Sequence, residues 1–441
     1  MPGKTNSPYG SWESSITAEL ITQGGLRLAE VRVDGSDIYW LEGRPEEAGR
    51  YVIVKRSADG ATSDVNAAPF NARNAVHEYG GGAYAVRDGV VYFSNWDDQR
   101  LYRVSGDGGG VDPVAITPEP AIERGDRYAD LVLSNEPNWV LCVRERHHED
   151  READNELVAV STSGSGEVRV LATGHDFYSS LRRAPVGDKI CWLSWDHPNM
   201  PWDECELWVA DFDSASGSVA NEQLVTGGSG VSIVQPEWSP GGTLVFITDE
   251  SGWWNLAKWA DGGVTAIVTE TVDHGGPAWA FAFSTYSFSS DGSILLEDSQ
   301  GENGRIRKIG LNGEVIAETP VPHTSMSEVT VLGDDVIYVG ASAASAAEIV
   351  RVTPGTGTVA TLKPSSEIEL DPAYLSTPEE ITFPSTDNGE AHAFYYSPVN
   401  PGFESDGTEK PPLLVISHGG PTGATSPALS LSVQYWTSRG F

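Results

Sequence analysis

A unit of about fifty residues recurs along this chain, and it limits the possible folds more than any other feature. Each copy has a turn rich in Asp and Gly, a short apolar or aromatic strand, a polar loop and a second strand. The first copy pairs Asp37–Leu41 with Tyr51–Val54. Later copies begin near Gly89, Asn138, Gly187, Gly242, Gly292 and Asp334. Because helical periodicity is nearly absent between the copies, the pattern predicts an all-β seven-bladed propeller over residues 26–370.

The sequence pattern changes on either side of this repeat. Residues 1–25 are predicted to be a lead-in segment that precedes the propeller. After a linker around Pro372, residues 378–441 contain three apolar runs typical of the first strands of a second domain. The third run, Leu413–Ile416, has four consecutive apolar residues and is predicted to be a buried parallel strand. A helix is expected roughly over residues 429–439.

A glycine turn, Ser417–Pro421, lies between this expected strand and helix. Strand, glycine turn and helix in this order are how an α/β-hydrolase forms one half of its oxyanion hole. Glycine suits that position because a Cβ atom would obstruct a backbone N–H that must approach the developing alkoxide. The alternative is an ordinary loop in which His418 only forms hydrogen bonds. The tetrapeptide recurs at His274–Pro277 without an apolar strand before it, and this copy is predicted to be a connecting loop.

The sequence contains no Gly-x-Ser-x-Gly nucleophile motif. The nearest imitation, Gly340–Ala344, is predicted to be the tip of a hairpin. A hydrolase of this type needs a nucleophile, an acid and a histidine downstream of the glycine turn. We therefore expect an all-β propeller followed by the first part of an α/β-hydrolase domain, with the triad residues absent and with no activity when this chain acts alone.

Charge and cysteine content narrow the possible partners. The formal net charge of −35 argues against nucleic acid and anionic membranes as partners. Cys142, Cys191 and Cys205 lack metal-ligand spacing, and the first two are predicted to be buried small hydrophobes. His147–Asp150 is predicted to be a solvated charged loop rather than a metal site. No metal, no cofactor, a cytoplasmic location and possible homo-oligomers are expected.

Several sequence blocks together resemble the prolyl oligopeptidase family of serine peptidases, in the branch of acylaminoacyl-peptidases and dipeptidyl aminopeptidases. The blocks that carry this resemblance are Tyr9–Trp12, His77–Gly82, Gly174–Ser179, Trp195–Asp203, Gly252–Leu256 and His418–Pro421. The resemblance implies an exopeptidase whose propeller restricts access to short peptides. It also implies that Gly420, with Gly419 and His418 in the same turn, donates an oxyanion N–H.

Two other functions are compatible with the residues alone. One is a non-catalytic propeller that binds a partner and retains a hydrolase remnant, and the other is a scaffold that binds proteins on its rim. The strand that ends in an oxyanion-type turn favours the peptidase, since a pure binding propeller has no need of it.

Four-stranded blades place the loop between the second and third strands on the same face as the connections between blades. The second domain is expected on this face. Five residues in those loops are candidate substrate contacts: Trp202, Asp203, Glu204, Trp253 and Trp254. The carboxylates are expected to hold a free amino terminus and the indoles to stack on side chains. The alternative is that these loops only join the two domains.

Overall fold

A computed structural model describes residues 3–106, 112–136, 138–299, 304–420 and 422–441. Seven four-stranded antiparallel sheets, each built from four consecutive strands, form the seven blades of a propeller. The prediction of a seven-bladed propeller is therefore confirmed. Pro421, the last residue of the predicted glycine turn, lies outside the described residues.

Within each blade the four strands follow one another in sequence order from the centre of the ring to its edge. Their bounds are Arg27–Asp34, Asp37–Arg44, Arg50–Arg56 and Thr62–Asp64 in blade 1; Tyr84–Arg87, Val90–Ser94, Leu101–Ser105 and Val114–Ala115 in blade 2; Asp126–Leu133, Trp139–Arg146, Asp154–Ser161 and Val168–Ala172 in blade 3; Phe177–Arg183, Lys189–Trp195, Glu206–Asp213 and Ser218–Gly227 in blade 4; Ile233–Trp238, Leu244–Thr248, Asn255–Ala260 and Gly263–Ala266 in blade 5; Tyr286–Phe288, Ile294–Asp298, Gly304–Ile309 and Val315–Val321 in blade 6; and Ser325–Leu332, Asp335–Ser342, Ser345–Thr353 and Thr358–Pro364 in blade 7.

Burial across a blade explains the sequence pattern. The second strands, such as Asp37–Arg44 and Trp139–Arg146, are buried along almost their whole length. Both of their faces pack against neighbouring blades, so apolar residues follow one another instead of alternating with polar ones. The fourth strand of blade 7, Thr358–Pro364, is mostly exposed or half-buried and mixes polar with apolar residues.

The core consists of seven apolar clusters, one between each pair of adjacent blades. Between blades 3 and 4, for example, Trp139 packs in one cluster with Trp192. Between blades 7 and 1, Trp40 lies in one cluster with Ile337 and Ile349. Each fully buried large side chain of this kind contributes about 1.5–3 kcal/mol to stability.

The inner strands of five blades share a β-bulge at which one residue has a left-handed backbone conformation. These residues are Glu30, Asp130, Ser180, Gln235 and Glu328. The side chains at four of these positions, all except Ser180, connect blades. For example, the Glu30 carboxylate accepts the Ala83 N–H at 2.9 Å, and the Gln235 amide oxygen accepts the Thr285 N–H at 2.8 Å. The bulges therefore turn polar side chains into links between neighbouring inner strands.

Arg182, in the inner strand of blade 4, connects three blades. Its Nη1 lies 2.9 Å from Asp130 Oδ1 of blade 3, and its Nε lies 2.7 Å from Glu237 Oε1 of blade 5. The Asp130 side chain is only 4% exposed, so this ion pair is shielded from water.

In the described part of the chain no strand is shared between blades 1 and 7, because each blade contains only consecutive strands. Their junction is held by the apolar cluster around Trp40 and by the Glu328 carboxylate, which accepts a backbone hydrogen bond from Glu30. The ring is thus closed by side-chain packing and hydrogen bonds.

Residues after the propeller form few regular elements. A hairpin joins Pro378–Pro384 to Glu390–Tyr396, and a helix covers Leu431–Thr437, which confirms the predicted helix over a shorter length. The remaining elements are the strands Thr5–Asn6 and Phe403–Glu404, the helix Ala18–Thr22, and the 3-10 turns Pro45–Glu47, Pro372–Tyr374 and Thr386–Asn388. Neither α-helix in the described residues is long and apolar enough to cross a bilayer.

The lead-in segment packs against the C-terminal segment. Thr5–Asn6 pairs in parallel with Phe403–Glu404. The Gly10 N–H donates to the Arg439 carbonyl at 2.9 Å, and Asn400 Nδ2 donates to the Glu13 carbonyl at 2.8 Å. The two ends of the described chain therefore meet outside the ring.

The prediction of a buried strand at Leu413–Ile416 is wrong for this structure. The residues form no strand, and the side chains of Leu413, Val415 and Ile416 are 74%, 83% and 71% exposed. No described strand runs beside this segment to pair with its backbone or cover its side chains. The prediction for Gly340–Ala344 is confirmed, because Ser342 and Ser345 pair across a hairpin turn.

Candidate functional site

A cavity of 730 Å³ opens on one face of the propeller. Its walls come from the connection between blades 1 and 2, the loops after the second strands of blades 3 and 4, and the connection between blades 5 and 6. These are the two kinds of loop that four-stranded blades place on a single face. A volume of this size is typical of a small-molecule or short-peptide site.

The floor of the cavity is aromatic. The His77 ring lies 4.9 Å from Phe281, 5.2 Å from Phe177 and 5.6 Å from Trp195, measured between ring centroids. Burial lowers the pKa of His77 to about 4, so the imidazole is neutral at neutral pH. The Asn155 side chain lies next to the ring and favours its protonated form, but neither His77 Nε2 nor Asn155 Oδ1 makes a well-aligned hydrogen bond. The floor therefore combines flat apolar surfaces with two polar atoms.

Glu145 fixes one wall of the cavity. Its carboxylate accepts the His77 backbone N–H at 2.9 Å, lies 3.0 Å from Arg127 Nη1 and lies 2.5 Å from His147 Nε2. Its side chain is only 7% exposed. Because Arg127 offsets its charge, Glu145 positions the loop and has little negative charge left for a ligand.

Three further carboxylates line the cavity: Glu78, Glu152 and Asp176. The Glu78 side chain is 81% exposed and lies 3.5 Å from Arg127. Asp176 accepts the His197 backbone N–H at 3.0 Å. All three residues are exposed, so this acidic wall favours a cationic group.

Three aromatic side chains form the rim: Tyr79, Trp202 and Trp279. The ring centroids of Trp202 and Trp279 are 4.4 Å apart, and those of Tyr79 and Trp279 are 5.2 Å apart. Trp279 Nε1 donates a hydrogen bond to the Thr422 carbonyl at 3.0 Å. This contact joins the cavity to the segment that contains the glycine turn.

The described part of the glycine turn is open. Gly420 has a φ of +71°, and no atom lies within 4 Å of the position that a Cβ would occupy. His418 Nδ1 approaches the Gly419 carbonyl at 3.4 Å. Glycine suits this left-handed conformation, which residues with a side chain rarely adopt. The role of Gly420 in an oxyanion hole stays a prediction.

Only one of the five predicted substrate contacts, Trp202, lines the cavity. Asp203 accepts the backbone N–H of Met200 at 2.9 Å, and Glu204 accepts that of Gly230 at 2.7 Å, so both carboxylates stabilise their own loop region.

The other two predicted contacts are the tryptophans of blade 5. Trp253 is 41% exposed away from the cavity, and Trp254 packs against the apolar cluster between blades 5 and 6. The structure therefore does not bring the five predicted residues together.

Sequence reasoning missed the residues that form most of the site. His77, Glu78 and Tyr79 belong to one of the blocks that carry the family resemblance but are not predicted substrate contacts, and Trp279 and Phe281 belong to no predicted motif. One signal was available: the connection between Ala266 and Tyr286 is long for a propeller, and long loops often carry function.

The second copy of the glycine tetrapeptide lies in this same connection. His274 is buried and its Nε2 lies 3.0 Å from Glu270 Oε2, which also pairs with Arg307 at 2.8 Å. These contacts fasten the connection to blade 6, which agrees with the predicted connecting loop.

In the charged loop after the second strand of blade 3, each of the two histidines pairs with a carboxylate. His147 contacts Glu145, and His148 Nε2 lies 2.8 Å from Asp154 Oδ2. Within the described ranges, no group of three or more His, Cys, Asp or Glu side chains is arranged to hold a metal ion.

Comparison with solved structures identifies the family. A puromycin-hydrolyzing peptidase from Mycobacterium tuberculosis is 33% identical with a TM-score of 0.91, and the alignment covers 99% of this chain and 68% of that one. A puromycin hydrolase is 35% identical with a TM-score of 0.92 and the same coverage. The chain belongs to the prolyl oligopeptidase family. A prolyl endopeptidase at 14% identity and a TM-score of 0.62 shares the fold. No protein-family model and no curated protein matches the chain.

Membership of the prolyl oligopeptidase family shows that the chain is related to serine peptidases. It spans 68% of the length of the puromycin hydrolases. The cavity of the propeller and the glycine turn are the two candidate site features among the described residues.

Proposed function

We propose that this chain forms the substrate-admitting part of a serine exopeptidase that removes an N-terminal residue from short peptides and aminoacyl amides. The observation that carries the proposal is the acidic, aromatic cavity joined to the glycine-turn segment by the hydrogen bond from Trp279 to Thr422. A substrate in this cavity lies next to the backbone that we expect to stabilise an oxyanion.

Glu78 and Glu152 would hold the free amino group, because both carboxylates line the cavity. Among the described residues Glu78 has only one ion-pair partner, Arg127, at a distance of 3.5 Å. The aromatic floor and rim would hold an apolar side chain of the substrate. The two similar enzymes are named for the hydrolysis of puromycin. Puromycin is an aminoacyl amide with a free amino group and an aromatic side chain. The proposed ligand chemistry is therefore of the same class.

Gly420 would donate its N–H to the oxyanion of an acyl-transfer reaction. That reaction also needs a nucleophile, an acid and a histidine, and we assign none of these roles to a residue of this chain. Three buried cysteines with free thiols support a reducing compartment such as the cytoplasm.

Binding of two matched ligands tests the proposal. Phenylalaninamide, with its free amino group, should bind residues 1–441 more tightly than N-acetyl-phenylalaninamide by about fivefold, the factor expected for one partly exposed ion pair. Glu152→Gln should reduce this preference, and the double substitution Glu78→Gln with Glu152→Gln should remove it. Glu149→Gln, in the same loop but outside the cavity lining, should preserve it. Equal affinity of wild-type protein for the two ligands would show that the cavity does not recognise an amino terminus.

A chimaera tests catalysis. Joining this chain to the remaining C-terminal part of a puromycin hydrolase should give a protein that releases phenylalanine from its p-nitroanilide. The same chimaera with Tyr79→Ala and Trp202→Ala should have a higher KM. If its KM is unchanged, the cavity has no role in substrate binding.

A further inference from the structure

Trp279 contacts both the rim of the cavity and the segment that follows the glycine turn. Its ring lies in the aromatic rim of the cavity against Tyr79 and Trp202, and its Nε1 donates to the Thr422 carbonyl. Its own backbone is fixed, because the Phe281 N–H two residues later donates to the Gly80 carbonyl at 2.9 Å. A rigid indole of this kind can hold whatever its N–H binds.

The segment that contains Thr422 is weakly attached elsewhere. Among the described residues from 411 to 430, two hydrogen bonds reach the propeller: the one from Trp279 and one from the Leu429 N–H to the Ser342 carbonyl at 2.8 Å. The side chains of Leu413–Ile416, just before the glycine turn, are exposed. Loss of the Trp279 contact would therefore leave the region around Gly420 without a direct link to the propeller.

Thr422 carries a second polar atom at this point. Its hydroxyl oxygen is shielded from water and has no hydrogen-bond partner among the described residues. A buried hydroxyl without a partner is costly, which adds to the weak attachment of this segment.

We propose that Trp279 is a positioning residue that couples an aromatic side chain in the cavity to the glycine turn. The inference rests on the proposed function, since it assumes that the cavity binds the substrate. A flat ring that packs in the rim holds the indole in place, and the indole N–H then holds the Thr422 carbonyl and, through the chain, Gly420. Substrates with an aromatic N-terminal residue gain an ordered turn, whereas small residues do not.

Thermolysin, which cleaves before large apolar residues, provides the readout, because Leu413–Ile416 is an exposed target beside the turn. Saturating phenylalaninamide should slow cleavage of wild-type chain in this segment by about fivefold, the effect of one added aromatic contact in the rim, and alaninamide should not. Trp279→Phe keeps a ring but removes the N–H. This variant should be cleaved about fivefold faster without ligand and should not be protected by phenylalaninamide.

Trp253→Phe is the matched control, since Trp253 is exposed and does not line the cavity. It should behave as wild type in both conditions. Wild-type cleavage rates for Trp279→Phe without ligand, or full protection of that variant by phenylalaninamide, would overturn the inference. If phenylalaninamide does not bind wild-type protein by tryptophan fluorescence, the proposed function and the coupling to ligand both fail, while the comparison without ligand still decides whether Trp279 tethers the segment.

Discussion

Replacing Arg182 by Met should destabilise the propeller more than any surface ion pair can. Arg182 contacts Asp130 at 2.9 Å and Glu237 at 2.7 Å, and the side chains of Arg182 and Asp130 are 15% and 4% exposed. Removing the guanidinium leaves the Asp130 carboxylate buried and unpaired, which costs about 3–5 kcal/mol. The pair with Glu237, whose side chain is 34% exposed, adds less.

Urea unfolding followed by tryptophan fluorescence measures this loss. Lys189→Met is the matched control in the same blade, because Lys189 pairs with Asp211 at 47% and 44% exposure and should contribute about 0–1 kcal/mol. Adding Asp130→Asn to Arg182→Met should recover part of the stability, since the unpaired charge is removed. If Arg182→Met costs no more than Lys189→Met, the ion pair does not join the blades energetically.

Three further outcomes are expected. Burial raises the pKa of Glu30 from 4.5 to about 7, so between these pH values the folded protein retains a proton that the unfolded chain has lost, and stability should fall as pH rises. Glu30→Gln should flatten this part of the plot of urea midpoint against pH. An unchanged slope in the variant would show that Glu30 does not cause the pH dependence. A fluorophosphonate probe should leave residues 1–441 unlabelled, whereas stoichiometric labelling at Ser342 or another serine would mean that the chain carries its own nucleophile. Trp202→Ala should weaken phenylalaninamide binding by about threefold to tenfold through loss of ring packing, while Asp203→Ala should leave the affinity unchanged by calorimetry because its carboxylate accepts the Met200 N–H.

The propeller could be predicted because its signal is local and repeated. Turn residues and apolar second strands recur in every copy, and each second strand is buried for the same reason. The bulges at Glu30 and Glu328 could not be predicted in this way. Their conformation depends on contacts with the next blade, about fifty residues or a whole ring away in sequence.

The same distinction explains the errors at the site. Leu413–Ile416 has the composition of a buried strand, but burial requires neighbouring strands that the described residues do not supply. The position of Trp202 beside the cavity could be predicted, because blade topology fixes the face on which its loop lies. Tyr79 and Trp279 meet only in three dimensions, since two hundred residues of sequence, from 79 to 279, separate them.

The pairing of the two chain ends has a consequence for the junction between blades 1 and 7. Thr5–Asn6 precedes blade 1 and Phe403–Glu404 follows blade 7, and the two strands pair outside the ring. The junction and this outer pairing therefore act as two points of attachment between the same two parts of the chain. When either one opens, the other keeps the separated surfaces near each other, because the loop to be closed, formed by residues 7–26 and 365–402, is much shorter than the ring itself. Two linked contacts of modest strength therefore resist opening of the ring far better than either contact would alone.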